Sequence, residues 1–531
     1  MTETECQNSV SYSKLREEVL FTPNKPSTPV SPTPGEKLEF TVDEAIEKIG
    51  FGMFQLRLSV FSALVWMADA MEMMMLAVLA PAVQCQWSLS TYEEAMITTV
   101  VFIGMMLGSP PFGILSDRYG RRRTLWLSSF FVVYFGLMTS LVPTYAWLLV
   151  VRFCVGGCIS ASPQAVTYYS EFLPIRFRSP CIVMLEFAWA VGSCFEALLA
   201  LLVMDTLGWR YLVGFSAIPI LLVLFYFPFV PDSPRYLLAS NEPERAYKVL
   251  VAAAKQNCRQ LPPGQLVAHK RDMSTGEEAP ILDTESDETE EDSSAPTAPI
   301  SLPKIGQRGN FLELFSKEYF LTTLILLIVW FGSGFGYYGA VLVTTELFVY
   351  DNHCGITNAT NTPNTCKVLT SEDYLEFLVT SIAEFPGLFA TLLLSDLIGR
   401  KLTMTSEFGL SAVFYFLLLL CTGFNDKIIK TVFLFAIRGC ITGAFQAAYV
   451  YTPEAYPTRI RASALALCST MARVGAIITP FIATVLLKEN FYATIFVYAG
   501  VAIASAVASF LLPFETKGRN LGDEGKKRFL C

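Results

Sequence analysis

Gly113-Ile-Leu-Ser-Asp117-Arg118-Tyr-Gly120-Arg121-Arg122 is echoed 279 residues later by Ser395-Asp396-Leu-Ile-Gly399-Arg400-Lys401. The shared pattern is Ser-Asp-x-x-Gly-Arg-basic. A second echo, displaced by 283 residues, relates Glu171-x-x-Pro174-x-Arg176-x-Arg178 to Glu454-x-x-Pro457-x-Arg459-x-Arg461. The same shift carries Gly192 onto Gly475. Two multi-residue matches at nearly equal offsets mark an internal duplication. Each motif follows an apolar run.

Such runs recur at about 57–83, 94–115, 124–142, 147–169, 181–204 and 210–230, then at 319–345, 374–394, 403–422, 431–452, 462–487 and 491–512. A run of about 20 apolar residues crosses a bilayer as a helix. The expected fold is therefore an all-α membrane protein with twelve transmembrane helices in two six-helix, pseudo-symmetric halves. The composition agrees: 53% of the 531 residues are hydrophobic and 16% charged, against about a quarter charged in soluble domains. A net charge of −8 without a basic face excludes nucleic acid as a partner. The bilayer is the expected partner instead.

The basic residues set orientation. Arg118 and Arg121 to Arg123, Arg176 and Arg178, Arg400 and Lys401, and Arg459 and Arg461 all fall in one set of short loops, whereas 84–93 and 143–146 hold no Lys or Arg. That bias places the basic loops and both termini in the cytosol. The chain divides into a cytosolic disordered tail (1–55), a six-helix half (56–231), a cytosolic acidic linker (232–318), a second half (319–513) and a cytosolic tail (514–531). Residues 1–40 hold no apolar core for a cleavable signal and carry a proline-rich tract that cannot pack. The linker starts with a short helix near 242–256 and then turns acidic from Glu277 to Asp292. The loop 346–373 faces away from the cytosol. It contains the sequon Asn358-Ala-Thr360, an N-glycosylation acceptor. Cys354 and Cys366 there can pair as a disulfide, with Cys85 as an alternative partner.

Gly-x-Leu-Ser-Asp-Arg-x-Gly-Arg-Arg resembles the hallmark loop of the major facilitator superfamily. Pro231-Asp-Ser-Pro-Arg235 and Pro513-Phe-Glu-Thr-Lys-Gly518 resemble its sugar-transporter and organic-ion branches. Trp66-Met-Ala-Asp-Ala-Met-Glu72, Phe445-Gln-Ala-Ala-Tyr-Val-Tyr-Thr-Pro-Glu454 and Met471-Ala-Arg-Val-Gly-Ala476 are similar to the synaptic-vesicle branch. The resemblance covers roughly residues 40–520. It implies a multi-pass protein of an intracellular vesicle membrane that moves a small solute by alternating access, with a site at mid-membrane between the halves. In such proteins the hallmark aspartate sits near a helix N-terminus, where the dipole favours an anion. It further implies gating residues: Gly113, Asp117, Arg118, Gly120 and Arg121 with Glu171 and Arg178, and in the second half Asp396, Gly399 and Arg400 with Glu454 and Arg461. These would latch in the outward-open state. The second loop departs from the pattern at Leu392 and Leu397, which weakens its contacts.

No catalytic constellation, metal-ligand spacing or Walker-type loop is present, so neither an enzyme nor a cofactor is expected. The two histidines, His269 and His353, lie outside the spans, which leaves no histidine relay. Drive must come from a gradient. The candidate substrate and coupling residues are the charges at membrane depth, costly without a partner or water: Asp69, Glu72, Glu186, Glu196, Glu384 and Arg473. Asp69 lies about 18 Å into span one at 1.5 Å per residue, and Glu72 shares its helix face. Arg152 and Arg438 sit nearer the outer ends of spans four and ten. One reading gives the acids a proton or cation and gives Arg473 an anionic group, so the solute is anionic or zwitterionic. The other makes the charges neutralise one another as structural pairs. The runner-up for the whole chain is a non-transporting vesicle receptor, nucleotide sensor or sorting scaffold on the same fold. The spacings Gly104-x-x-x-Gly108 and Gly332-x-x-x-Gly336 point to close helix packing.

Overall fold

Helices dominate because backbone polar groups in hydrocarbon must be satisfied within the segment. The computed structural model describes residues 39–267, 311–349, 369–420 and 427–517. Asn358, Cys354, Cys366, the proline-rich tract and the acidic run lie outside those residues. Cys85 is disulfide-bonded.

The first half comprises span one (Met53–Trp87), two (Thr91–Tyr119), three (Arg121–Ser140), four (Tyr145–Ile159 with Pro163–Ser170), five (Ile175–Val203) and six (Trp209–Ser216 with Ile218–Tyr226). The second comprises span seven (Phe320–Val349), eight (Ser371–Ile382 with Glu384–Leu397), nine (Arg400–Leu420), ten (Lys427–Ala455), eleven (Thr458–Pro480) and twelve (Phe491–Leu511). Eleven of these are long and apolar enough to cross a membrane. Span three is the exception, because it opens on three arginines and carries Ser128, Ser129 and Ser140. Spans four, six and eight are broken, unlike the continuous runs expected. Pro163 and Pro219 stand in the first turn after two of the breaks, and Pro386 follows the third. Proline lacks the N–H that would continue the ladder.

The halves repeat their packing. Span one lies along five as seven lies along eleven, and two along four as eight along ten. The small residues at these contacts obey the same offset. Gly104 and Gly156 bring spans two and four into backbone contact, and Gly387 and Gly439 do so for eight and ten. Gly192 meets the backbone of Met67, and Gly475 that of Phe331. Gly332 packs against Ser505 and Gly336 against Ile441.

At the basic end, the last part of the expected disordered tail is structured. Glu39–Phe40 pairs in parallel with Gln265–Leu266. Thr41 and Glu44 form a reciprocal cap on the helix Val42–Ile49. That helix buries Val42, Ile46 and Ile49 in a cluster with Leu250, Ala253 and Phe54. Leu250 and Ala253 belong to the expected linker helix, found at Pro243–Gln256. Asn257 ties the parts together, accepting from Phe54 N at 2.9 Å and donating to Gln55 Oε1 at 2.7 Å.

At the outer end the halves are joined. Pro480 leads span eleven into a π-helical segment, Phe481–Leu486, followed by a turn to Glu489. π-Segments interrupt the regular ladder and recur at functional sites. This one delivers Lys488 to the other half, where its Nζ lies 2.6 Å from Glu94 Oε2 of span two and donates to Gln84 of span one at 3.2 Å. Glu346 of span seven is 3.5 Å away.

Candidate functional site

Between the halves at mid-depth lies a cavity of about 90 Å³. Drug-sized sites span roughly 300–1,000 Å³, so this volume suits a small solute. Asp69, Glu186 and Arg473 all line it. Span one is the most enclosed helix and turns Asp69 inward. Arg473 projects from the middle of span eleven, and Glu186 from span five.

The walls between these charges are aromatic. Trp66 and Trp189 approach at 5.7 Å between ring centres, Phe102 and Tyr338 at 4.6 Å, and Phe445 and Tyr449 at 5.2 Å. Trp189 Nε1 donates to Tyr337 Oη at 2.6 Å, across the two halves. Within this wall some polar groups are left over. Asp69 Oδ1 and Trp66 Nε1 are buried without a hydrogen-bond partner among the described residues. Arg473 acts at a distance on Tyr449, Tyr338 and Asp69. It makes no ion pair or hydrogen bond among the described residues. A half-buried guanidinium and a buried carboxylate oxygen with spare hydrogen-bonding capacity are costly unless water or a solute satisfies them.

The other candidate charges are placed differently. Glu72 forms an ion pair with Arg152 of span four. Glu384 accepts from Arg438 Nε at 3.1 Å and Nη2 at 2.9 Å, with both side chains fully enclosed. Tyr337 Oη also donates to Glu384, at 3.0 Å. Glu196 accepts from Ser216 Oγ at 2.8 Å. None of these three acids lines the cavity. Arg152 and Arg438 lie in spans four and ten but three residues out of the 283-residue register, and their acids come from spans one and eight.

The duplicated loops converge at the basic end. Arg121 Nε is 2.6 Å from Glu171, and Arg400 Nε is 3.4 Å from Glu454. Both pairs stay within one half, and both are made while Lys488 joins the halves at the outer end. Arg178 donates to Leu173 O and Arg461 to Tyr456 O, each at 3.4 Å. Gly120 and Gly399 share φ +91°. A Cβ at either would meet Tyr236 or Glu515 respectively. Gly113 faces open space. Arg118 lies over Tyr119 at the end of span two.

Asp117 belongs to the last turn of span two, and Asp396 is largely exposed, 3.9 Å from Arg400. Glu515 is an anion at a helix N-terminus: it accepts from Arg400 N at 2.8 Å and Lys401 N at 3.0 Å, capping span nine. Its counterpart Asp232 pairs with Arg122 at 3.4 Å. Both acids lie inside quoted motifs, and the 283-residue shift relates them, so the signal was available. The aromatic wall carried no signal, because its members read as ordinary apolar positions.

The sequence profile of the Major Facilitator Superfamily matches residues 61–370 and 370–530. The chain is 43% identical over 495 residues to the synaptic vesicle 2-related protein of Xenopus laevis, covering 92% of this chain and 84% of that protein. It is 37% identical over 506 residues to organic cation/carnitine transporter 7 of Arabidopsis thaliana, covering 91% and 96%. Among solved structures, the inward open xylose transporter XylE from E. coli superposes with a TM-score of 0.63 at 15% identity, over 88% of this chain and 98% of that one. The chain belongs to the Major Facilitator Superfamily, as a multi-pass membrane protein of its transporter fold. Within that family it is similar to the synaptic vesicle 2-related proteins.

Proposed function

We propose that this chain is a secondary transporter of a small zwitterionic organic solute, working by alternating access. One observation carries the reading. Arg473 and Asp69 face a common aromatic-walled cavity with hydrogen-bonding capacity that the protein leaves unused. A carboxylate on the solute would satisfy Arg473. An ammonium would sit against Asp69 and Glu186, held by the faces of Trp66, Trp189 and Tyr338. A relative named for organic cations and carnitine fits a solute with a cationic head. Glu72 and Glu384 are assigned to structural pairs, and a coupling proton to Asp69 or Glu186. The hallmark loops keep their gating assignment. By resemblance and basic-loop bias, the membrane is that of an intracellular vesicle, with both termini cytosolic and Asn358 on the lumenal side.

The test uses the full chain in nanodiscs against betaines, amino acids, simple carboxylates and simple amines. A zwitterion should raise thermal stability and be taken up by proteoliposomes. Arg473→Ala should lose the response to its carboxylate, and Asp69→Asn the response to its ammonium. A wild type that neither responds to nor accumulates any panel member overturns the proposal in favour of a receptor or scaffold.

A further inference from the structure

The outer-end junction contains more acid than base. Glu94, Glu346 and Lys488 come from spans two, seven and the turn after eleven, so both halves contribute. Glu94 is fully buried, Glu346 is 2% exposed and the Lys488 side chain 11%. Lys488 holds Glu94 Oε2 closely, but Glu94 Oε1 and Glu346 Oε2 are buried without a hydrogen-bond partner among the described residues. Both carboxylates converge on the same Lys488 Nζ, so they lie close to each other. Lys488 Nζ also donates to the neutral amide of Gln84. Nearby Glu93 turns away to cap the helix at Ser90, 2.8 Å from its backbone N.

Among the described residues, two carboxylates and one ammonium leave one negative charge in excess out of water. That is expensive, and like charges sharing a site cannot both stay ionised cheaply. One added proton neutralises the cluster. It also turns one carboxyl into a donor for the other's unsatisfied oxygen. When the halves part at this end, Lys488 leaves Glu94, water enters and the proton is no longer required.

We propose that Glu94, Glu346 and Lys488 form a proton-binding site of their own, separate from the central cavity. A proton bound there favours the state in which the outer end is sealed. The proposal rests on the reading that the halves open alternately, and goes beyond it by giving the outer seal its own ligand. Protonation and closure are then linked equilibria: each favours the other by the same factor.

The experiment reads seal opening through Thr98→Cys. Thr98 lies one helical turn below Glu94 and is 2% exposed. Alkylation by a bulky maleimide is quantified by mass spectrometry in the purified full chain from pH 5.5 to 8.0. Each rate is divided by that of the same cysteine in unfolded chain, which removes the thiol's own titration. The corrected rate should rise about five-fold or more across the range in the parent, because loss of the proton shifts the population toward the open state. Glu346→Gln, which mimics the protonated acid, should stay slow and vary by less than about two-fold. Glu94→Gln is measured beside it, since its amide still accepts from Lys488, and it should flatten the profile in the same way. A flat parent profile overturns the proposal, as does a Gln variant with the parent's pH dependence. The solute-induced stability shift is recorded on the same variants. If it persists while the pH profiles coincide, the seal proposal alone falls and the central site stands.

Discussion

Replacing Glu384 by Gln strands a cation. Arg438 directs Nε and Nη2 to a single oxygen of Glu384, and neither side chain reaches solvent. Once the acid is neutral, the guanidinium has no counter-charge: the amide oxygen can still accept, but beyond it stand only neutral groups, Met74 Sδ at 2.9 Å and the face of Phe377 at 5.5 Å. Breaking one side of a buried pair costs about 3–5 kcal/mol, because the surviving charge is left uncompensated. The pair itself contributes far less against an apolar replacement. The double variant Glu384→Gln with Arg438→Met should therefore recover most of the loss, with a coupling energy of about 2 kcal/mol or more. Asp69→Asn breaks no direct ion pair and should cost less than about 1.5 kcal/mol. Stability is measured for the wild type, Glu384→Gln, Arg438→Met, the double variant and Asp69→Asn by tryptophan fluorescence during reversible unfolding in mixed micelles, with function read separately by solute-induced shifts. The reasoning is refuted if Glu384→Gln is no less stable than Asp69→Asn, or if the losses in the double variant simply add.

Gly120→Ala and Gly399→Ala should each destabilise the chain by about 1–2 kcal/mol, since φ +91° disfavours a side chain and a Cβ meets Tyr236 or Glu515. Gly113→Ala, with nothing within 4 Å, should be nearly neutral by the same unfolding assay. The basic-loop bias predicts that Asn358 faces away from the cytosol, so a glycosidase should shift the protein's mobility, and Asn358→Gln should abolish the shift. A sequon placed near residue 285 should remain unglycosylated.

The duplication was legible because it repeats in short polar loops, where spacing alone identifies a residue. The helices were legible because a bilayer demands long apolar runs. What could not be read is how each helix is rotated and which partner it meets. Glu72 and Asp69 share a face by spacing, yet Glu72 is taken by Arg152 while Asp69 opens to the cavity. A difference of 60° about the helix axis, the angle left by three residues against a full turn of 3.6, decides between those fates. Lys488 stood just past the expected end of span eleven, and only the π-segment after Pro480 brings it across to Glu94. The breaks in spans four, six and eight are each followed by a proline, Pro163, Pro219 and Pro386, that the hydropathy of the runs concealed.

The two-residue strand pair at the basic end sets where the rest of the chain is attached. The tail before Glu39 and the acidic segment after Val267 are rooted within about 10 Å of each other, from a strand spacing of about 4.8 Å and a rise of about 3.3 Å per residue. Stretches more than 200 residues apart in sequence thus share a single mooring. A protein that grips one of them encounters the other at a local concentration set by their tethers, in the millimolar range for short flexible ones. Two weak contacts made from that mooring add up to one firm attachment, and loosening either the strand pair or the Asn257 bonds would return them to two weak ones.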